Sequence, residues 1–172
     1  MKLSQTSEVQ ASSIARGLLH GAWIVGIEYW RTAWSITLSV EEDHPAVHAG
    51  LLTHPFELAL TACQIELANA ETWAPCLACA PVDIVARPGH QDGPAALLLF
   101  NCVAYQLENA RVESSGSLLL SFSGGRQLVF SGDDWSLAPK YIQDTSALIA
   151  VDMGAIYASS AAIDSILAAS AT

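Results

Sequence analysis

Leu118-Leu-Leu-Ser-Phe-Ser-Gly-Gly-Arg-Gln-Leu-Val-Phe130 is the stretch that decides the fold class. Leu118–Phe122 is apolar and strand-like, Gly124–Gly125 supplies a turn, and Arg126–Phe130 returns as the partner. Glycine reaches the positive φ values that tight hairpin turns demand, so the spacing predicts an antiparallel pair. Working back from it, Val112–Phe122 reads as a strand and Leu97–Leu107 as another. Glu71–Pro94 carries Pro75, Pro81, Pro88 and Pro94, so it reads as a connector with one short strand at Val82–Ala86.

The first half has a similar grammar. Ser7–Leu19 is an opening helix with Val9, Ile14 and Leu18 near one face and Gly21 as the stop. Ala22–Tyr29 is rich in β-branched and aromatic residues. In Trp34–Val40, Trp34, Ile36, Leu38 and Val40 alternate with Ser35, Thr37 and Ser39, the pattern of a half-buried strand. Glu41–Pro45 breaks it, Ala46–Leu52 suits one or two helical turns, and Phe56–Leu67 reads as a bent or bulged strand. Beyond the hairpin, Ser146–Tyr157 fits a strand or a helix, and the Ala- and Ser-rich last dozen residues fit a short helix or a tail.

Two segments echo each other. Gly21–Glu28, Ile36–Val40 and Gln64–Trp73 correspond in order to Asn101–Glu108, Leu118–Phe122 and Gln127–Trp135. Each set reads as a strand ending in Glu, an alternating strand, then a Gln-led strand closed by acid and Trp. Duplication of 20–74 as 97–137 and coincidental likeness between two meanders are both open readings. The expected fold is α+β and mainly antiparallel, a single domain over 1–172. Two meander-like halves would form a sandwich or a barrel-like sheet with a few flanking helices.

Charge narrows the function. Seven Lys and Arg stand against seventeen Asp and Glu, a net −10. That field repels phosphate backbones and anionic membranes, so neither nucleic acid nor membrane is an expected partner. It accelerates encounter with a basic protein. Only 14% of residues are charged and 52% are hydrophobic, against about a quarter charged in ordinary domains. Two readings follow: apolar surface buried in a homodimer or against a partner, or a large core beneath a Ser/Thr/Ala surface. The polar start MKLSQTSEVQASS has no signal-peptide pattern and no apolar run is long enough to span a bilayer, so a cytoplasmic protein is expected. Its cysteines, Cys63, Cys76, Cys79 and Cys102, are then expected as reduced thiols.

Reaction chemistry is sparsely signalled. Cys76-Leu-Ala-Cys79 lacks a second ligand pair for a structural metal, and Pro75 and Pro81 leave little room for the helix a redox CxxC needs. His44, His48 and His54 cluster beside Asp43 without an HExxH pattern, in a loop-like setting that suggests solvent exposure. No nucleophile elbow or phosphate loop occurs. No catalytic, cofactor-binding or metal-ligating residue is therefore expected. The suggestive groupings are acids with tryptophans: Glu41, Glu42 and Asp43; Glu71 with Trp73; and Asp133 and Asp134 with Trp135. Tryptophan is a frequent interface anchor, and acids around it would select a basic partner. The plainer reading puts both tryptophans at the core edge with solvated acids in the turns.

The Leu118–Leu128 stretch, closed by Asp133-Asp-Trp135, resembles the "L-x-L-x-F-x-G-G-x-x-L" strand and acid-Trp ending of bacterial polymorphic or contact-dependent toxin immunity proteins. The resemblance covers about a quarter of the chain, and the first half inserts Glu41–Pro55 where the glycine turn would be. It implies a non-catalytic inhibitor of a co-produced, basic toxin domain and carries over no functional residue. The alternatives are a ligand-binding or enzymatic β-barrel, its cavity lined by Trp23, Trp30, Trp34 and Tyr105, and a homodimeric structural subunit.

Overall fold

Alternating apolar residues become paired strands wherever one face can be buried. The computed structural model describes residues 3–30, 33–66, 92–141 and 147–167 of the chain. In order these form β1 (Leu3–Gln5), α1 (Glu8–Leu19), β2 (Trp23–Trp30), β3 (Ala33–Ser39), α2 (Pro45–His48), β4 (Glu57–Ala62) and β5 (Ile65–Glu66). There follow α3 (Asp92–Cys102), β6 (Leu107–Val112), β7 (Leu118–Phe122), β8 (Arg126–Phe130), β9 (Asp134–Pro139), β10 (Ile149–Asp152) and β11 (Ala155–Ser159). A closing helical turn, α4 (Ser160–Ala162), runs on as a π-type turn over Ile163–Leu167.

Two antiparallel sheets result, ordered β1-β11-β10-β9-β4-β3-β2 and β5-β8-β7-β6. Each holds one meander: β2-β3-β4 in the larger sheet and β6-β7-β8 in the smaller. The quoted hairpin forms as read, with Phe122 opposite Arg126 and both turn glycines at positive φ. Phe56–Leu67 is bent as expected: β4 stops at Ala62 and β5 resumes at Ile65 in the other sheet. The chain crosses back beside it between β8 and β9. Cys63 N–H donates to the Asp134 carbonyl and Ser131 N–H to the Gln64 carbonyl, so pairing persists across the corner. This is how strands change sheets without stranding buried amides. At the other side a lone bridge, Trp23 with Gln106, links the outer edges without closing a barrel.

One apolar core runs through both sheets and α1. Trp34, Ile36 and Leu38 meet Leu58 and Leu60, then Trp135, Leu137, Ile149 and Val151, all facing one side of the larger sheet. The helix α1 starts at a capping box between Ser7 and Gln10 and buries Ala11, Ile14, Ala15, Leu18 and Leu19. Val9 is instead exposed. The free edge of β6 is covered by α1, whose Ser12 hydroxyl both donates to the Val112 carbonyl and accepts from its N–H at 3.0 Å. That contact satisfies an edge strand that would otherwise template association.

Some expectations are corrected. Leu97–Leu107 is not a strand: it is the latter half of α3, a turn, and the first residue of β6. Ala95, Leu98, Leu99 and Cys102 are buried at helical spacing while Phe100 faces out. A short apolar run fits either period, and its Ala/Leu content tips it to helix. For Ser146–Tyr157, read as a strand or a helix, the described part from 147 on is strand, since β10 and β11 form a hairpin through Met153-Gly154. Of the echoing segments, Gly21–Glu28 lies mostly in β2, whereas Asn101–Glu108 spans the end of α3 and the start of β6. The strand read at Val82–Ala86 lies outside the described residues.

Candidate functional site

Position on the larger sheet sorts the sequence-selected residues. Asp133 and Asp134 are exposed at the start of β9, near the Ala62 end of β4. Asp134 sits directly opposite Asp152 of β10 in the sheet register. Like charges opposed across strands cost stability, commonly a few tenths of a kcal/mol up to about 1. No Lys or Arg pairs with either among the described residues, where the ion pairs are Arg111–Glu113 and Lys140–Glu57. Met153, next in the chain, is 90% exposed. Three carboxylates and one projecting thioether thus share the pole where β9 begins and β10 turns.

Beneath this acidic pole the packing is tight. Trp135, selected as a contact residue, is only 1% exposed, and its indole N–H donates to the Gly116 carbonyl at 2.7 Å. It is a core residue, because Asp134 and Trp135 are neighbours in a strand and so point to opposite faces. Gly132 has no room for a side chain: a Cβ there would stand 2.1 Å from the Ser115 carbonyl oxygen. Met153 N–H donates to the Asp133 carbonyl and Gly154 N–H to that of Gly132, which joins the β10–β11 turn to the sheet crossing. Cys63 donates its thiol to Asp134 at 3.5 Å, and desolvation, then the Asp134 carboxylate, push that thiol's pKa up. Glu71 and Trp73 lie outside the described residues, as do Cys76 and Cys79.

Glu41, Glu42 and Asp43 are exposed at the far end, where β3 runs out opposite Glu57. The length of β4, roughly 20 Å, separates them from Asp134, so the selected acids make two patches. His44 is not exposed as its loop-like setting suggested. It is buried and caps α2, its Nδ1 accepting the Ala46 N–H at 3.1 Å while Nε2 donates to the His20 carbonyl at 3.0 Å. An amide can only donate, so Nδ1 is bare and His44 is the neutral Nε2–H tautomer. Burial lowers its pKa from the ordinary 6.5, outweighing the bond to His20. His48 ends α2 in solvent, and His54 stacks edge-on to Phe56. The three do not converge, and among the described residues no group of His, Cys, Asp and Glu could hold a metal.

Sequence reasoning missed a cleft of about 390 Å³ at this end, lined by Ser13, Arg16, Gly17, His20, His44 and Pro45. The Arg16 Nε donates to Asn109 Oδ1 at 3.0 Å, and the His20 Nδ1 donates to the Glu108 carbonyl at 2.8 Å. Arg16 and His20 lie four apart on α1, a spacing readable in the sequence, but His44 reaches them only through the fold. The sheets do not close into a barrel, and among the described side chains Trp23, Trp34 and Tyr105 do not line one cavity. Trp34 is buried in the core, Trp23 lies on the opposite face of the larger sheet, and Tyr105 is half-buried beneath the Arg126 guanidinium. No helix among the described residues is long and apolar enough to cross a membrane. Comparison with protein-family models, curated proteins and solved structures yields no match.

Proposed function

We propose that this chain is a non-catalytic binding protein whose acidic pole docks a basic protein domain, as an immunity protein neutralising a co-produced toxin would. The observation that carries the reading is the Asp134–Asp152 cross-strand pair, flanked by Asp133 and with no cation against it among the described residues. Opposed carboxylates weaken a sheet that is otherwise closely packed there, and a partner's Lys or Arg would reverse that cost. The rigid corner below holds the acids in place, and Met153 offers an apolar anchor between them. Net charge of −10 adds long-range steering that fades with salt. The residues expected for contact that remain in this reading are Asp133 and Asp134, joined by Asp152 and Met153. The second patch, Glu41 to Asp43, extends the negative field.

The test is capture by the immobilised protein of a basic domain from its own source, repeated with a D133N/D134N/D152N variant. The expected result is one-to-one retention by the native chain, at least tenfold weaker retention by the triple variant, and little change for E41Q/E42Q/D43N. Co-expression with the captured domain would then relieve its toxicity. Equal capture by the native chain and the triple variant would sink the assignment to this pole.

A further inference from the structure

We infer that the cleft between the end of α1 and the start of α2 binds a small organic carboxylate, a site separate from the acidic pole. Its charge is the opposite of the molecule's. Among the described residues Arg111 and Lys140 are paired with acids and Arg126 lies over Tyr105 at 3.6 Å. Among the same residues Arg16 is hydrogen-bonded through its side chain to the neutral Asn109 amide and to no acid, and it faces the cleft. That bond takes Nε and fixes the guanidinium plane, leaving both terminal amino groups as a planar fork. A fork of this kind matches a carboxylate with two parallel hydrogen bonds. His20 is likewise oriented through Nδ1, leaving Nε2 as its remaining polar atom.

The rest of the lining selects an apolar body. Gly17 and Pro45 are apolar, and both nitrogens of His44 are engaged by backbone, so its ring presents a neutral wall. Among the described residues no acid lines the space; Asp43, which acts on His44 through its charge, stands outside the lining. About 390 Å³ lies within the range of small-molecule pockets. An overall charge of −10 repels anions, so a bare inorganic anion gains little here. A carboxylate on an apolar ring adds burial against Gly17, Pro45 and His44 to its bond with Arg16.

The experiment is a titration of the full chain, followed by amide and imidazole resonances, with three probes: benzoate, benzamide and inorganic phosphate. Benzoate should shift the signals of Ser13 to His20 and of His44 to His48 with one-to-one saturation. It should bind at least tenfold more tightly than benzamide or phosphate. Arg16 is exposed, so R16Q keeps the fold and should weaken benzoate at least tenfold, with R16K in between. Saturation elsewhere, no saturation by tens of millimolar, phosphate equal to benzoate, or an unchanged affinity in R16Q would each overturn the inference. None of these outcomes bears on the acidic pole, whose residues are left intact.

Discussion

The two ends of the larger sheet solve opposite problems. At the Asp134 end three turns press together, a tryptophan plugs the space beneath, and three carboxylates and the Met153 thioether face outward. At the His44 end a one-turn helix meets α1 loosely enough to leave a cleft, and the groups around it are an arginine and two imidazoles. The first is dense and negative; the second is open, and its cleft has a cationic or neutral lining beside the exposed Glu41, Glu42 and Asp43. The contrast shows that net charge describes the far field of a protein and not its individual sites: seven basic residues are enough when one of them, with no acid against it among the described residues, lies beside a cleft.

Filling each end in turn should separate them most widely. Gly132→Ala places a methyl against a backbone carbonyl that cannot rotate away, and should cost about 3 kcal/mol or more, read from urea unfolding. Ser13→Leu adds carbon to the open cleft and should change stability by less than about 1 kcal/mol while abolishing benzoate binding. A costly S13L with a mild G132A would reverse the assignment of dense and open ends. Next in size, Trp135→Phe removes the indole donor and leaves the Gly116 carbonyl buried without it, for about 2 to 3 kcal/mol in the same measurement.

His44 gives the open end a pH signature. Its folded-state pKa lies below the ordinary 6.5, so below that value the unfolded chain takes up the proton first. Its contribution is fully present above pH 6.5 and is lost as pH falls toward the lowered folded value. His44→Asn should keep the cap on Ala46, lose the bond to His20 at about 1 kcal/mol, and flatten the fall in melting temperature below pH 6.5. An identical pH profile in H44N would show that other groups set it.

The smallest effects belong to the acidic pole. Asp152→Asn removes one of two opposed carboxylates and should stabilise the chain by a few tenths of a kcal/mol at low salt, the gain shrinking as salt rises. Asp134→Asn removes a carboxylate that raises the Cys63 thiol's pKa, so Cys63 should alkylate a few-fold faster at pH 7.5, followed by mass spectrometry of its own peptide. A slower reaction would mean that access, not charge, limits that thiol.

Local signals in the sequence served well where one face of an element is buried and the other is wet. The Phe122–Arg126 hairpin, the alternation of Trp34 to Val40, the break in Phe56–Leu67 and the helix before Gly21 could all be read directly, because period and turn chemistry are local. Leu97–Leu107 misled because a short apolar stretch carries no period of its own. The site was only partly legible. Asp133 and Asp134 stand out as turn acids, but for Trp135 beside them the sequence leaves both an interface anchor and a core-edge residue open, and strand alternation in the sheet turns it inward. Asp152 carried no mark, since its partner is set by register across strands distant in the chain.

By itself the sequence determined an antiparallel α+β fold, two meanders and an acidic field, for these follow from composition and from contacts a few residues apart. Only the tertiary structure decided that the acids divide between two poles, that Asp152 opposes Asp134, and that His44 closes a cleft with Arg16 and His20. Those juxtapositions come from the order of strands in the sheet and from where α1 settles. Both are fixed by burying one shared core, whose contacts join residues too far apart in the chain for any local pattern to record.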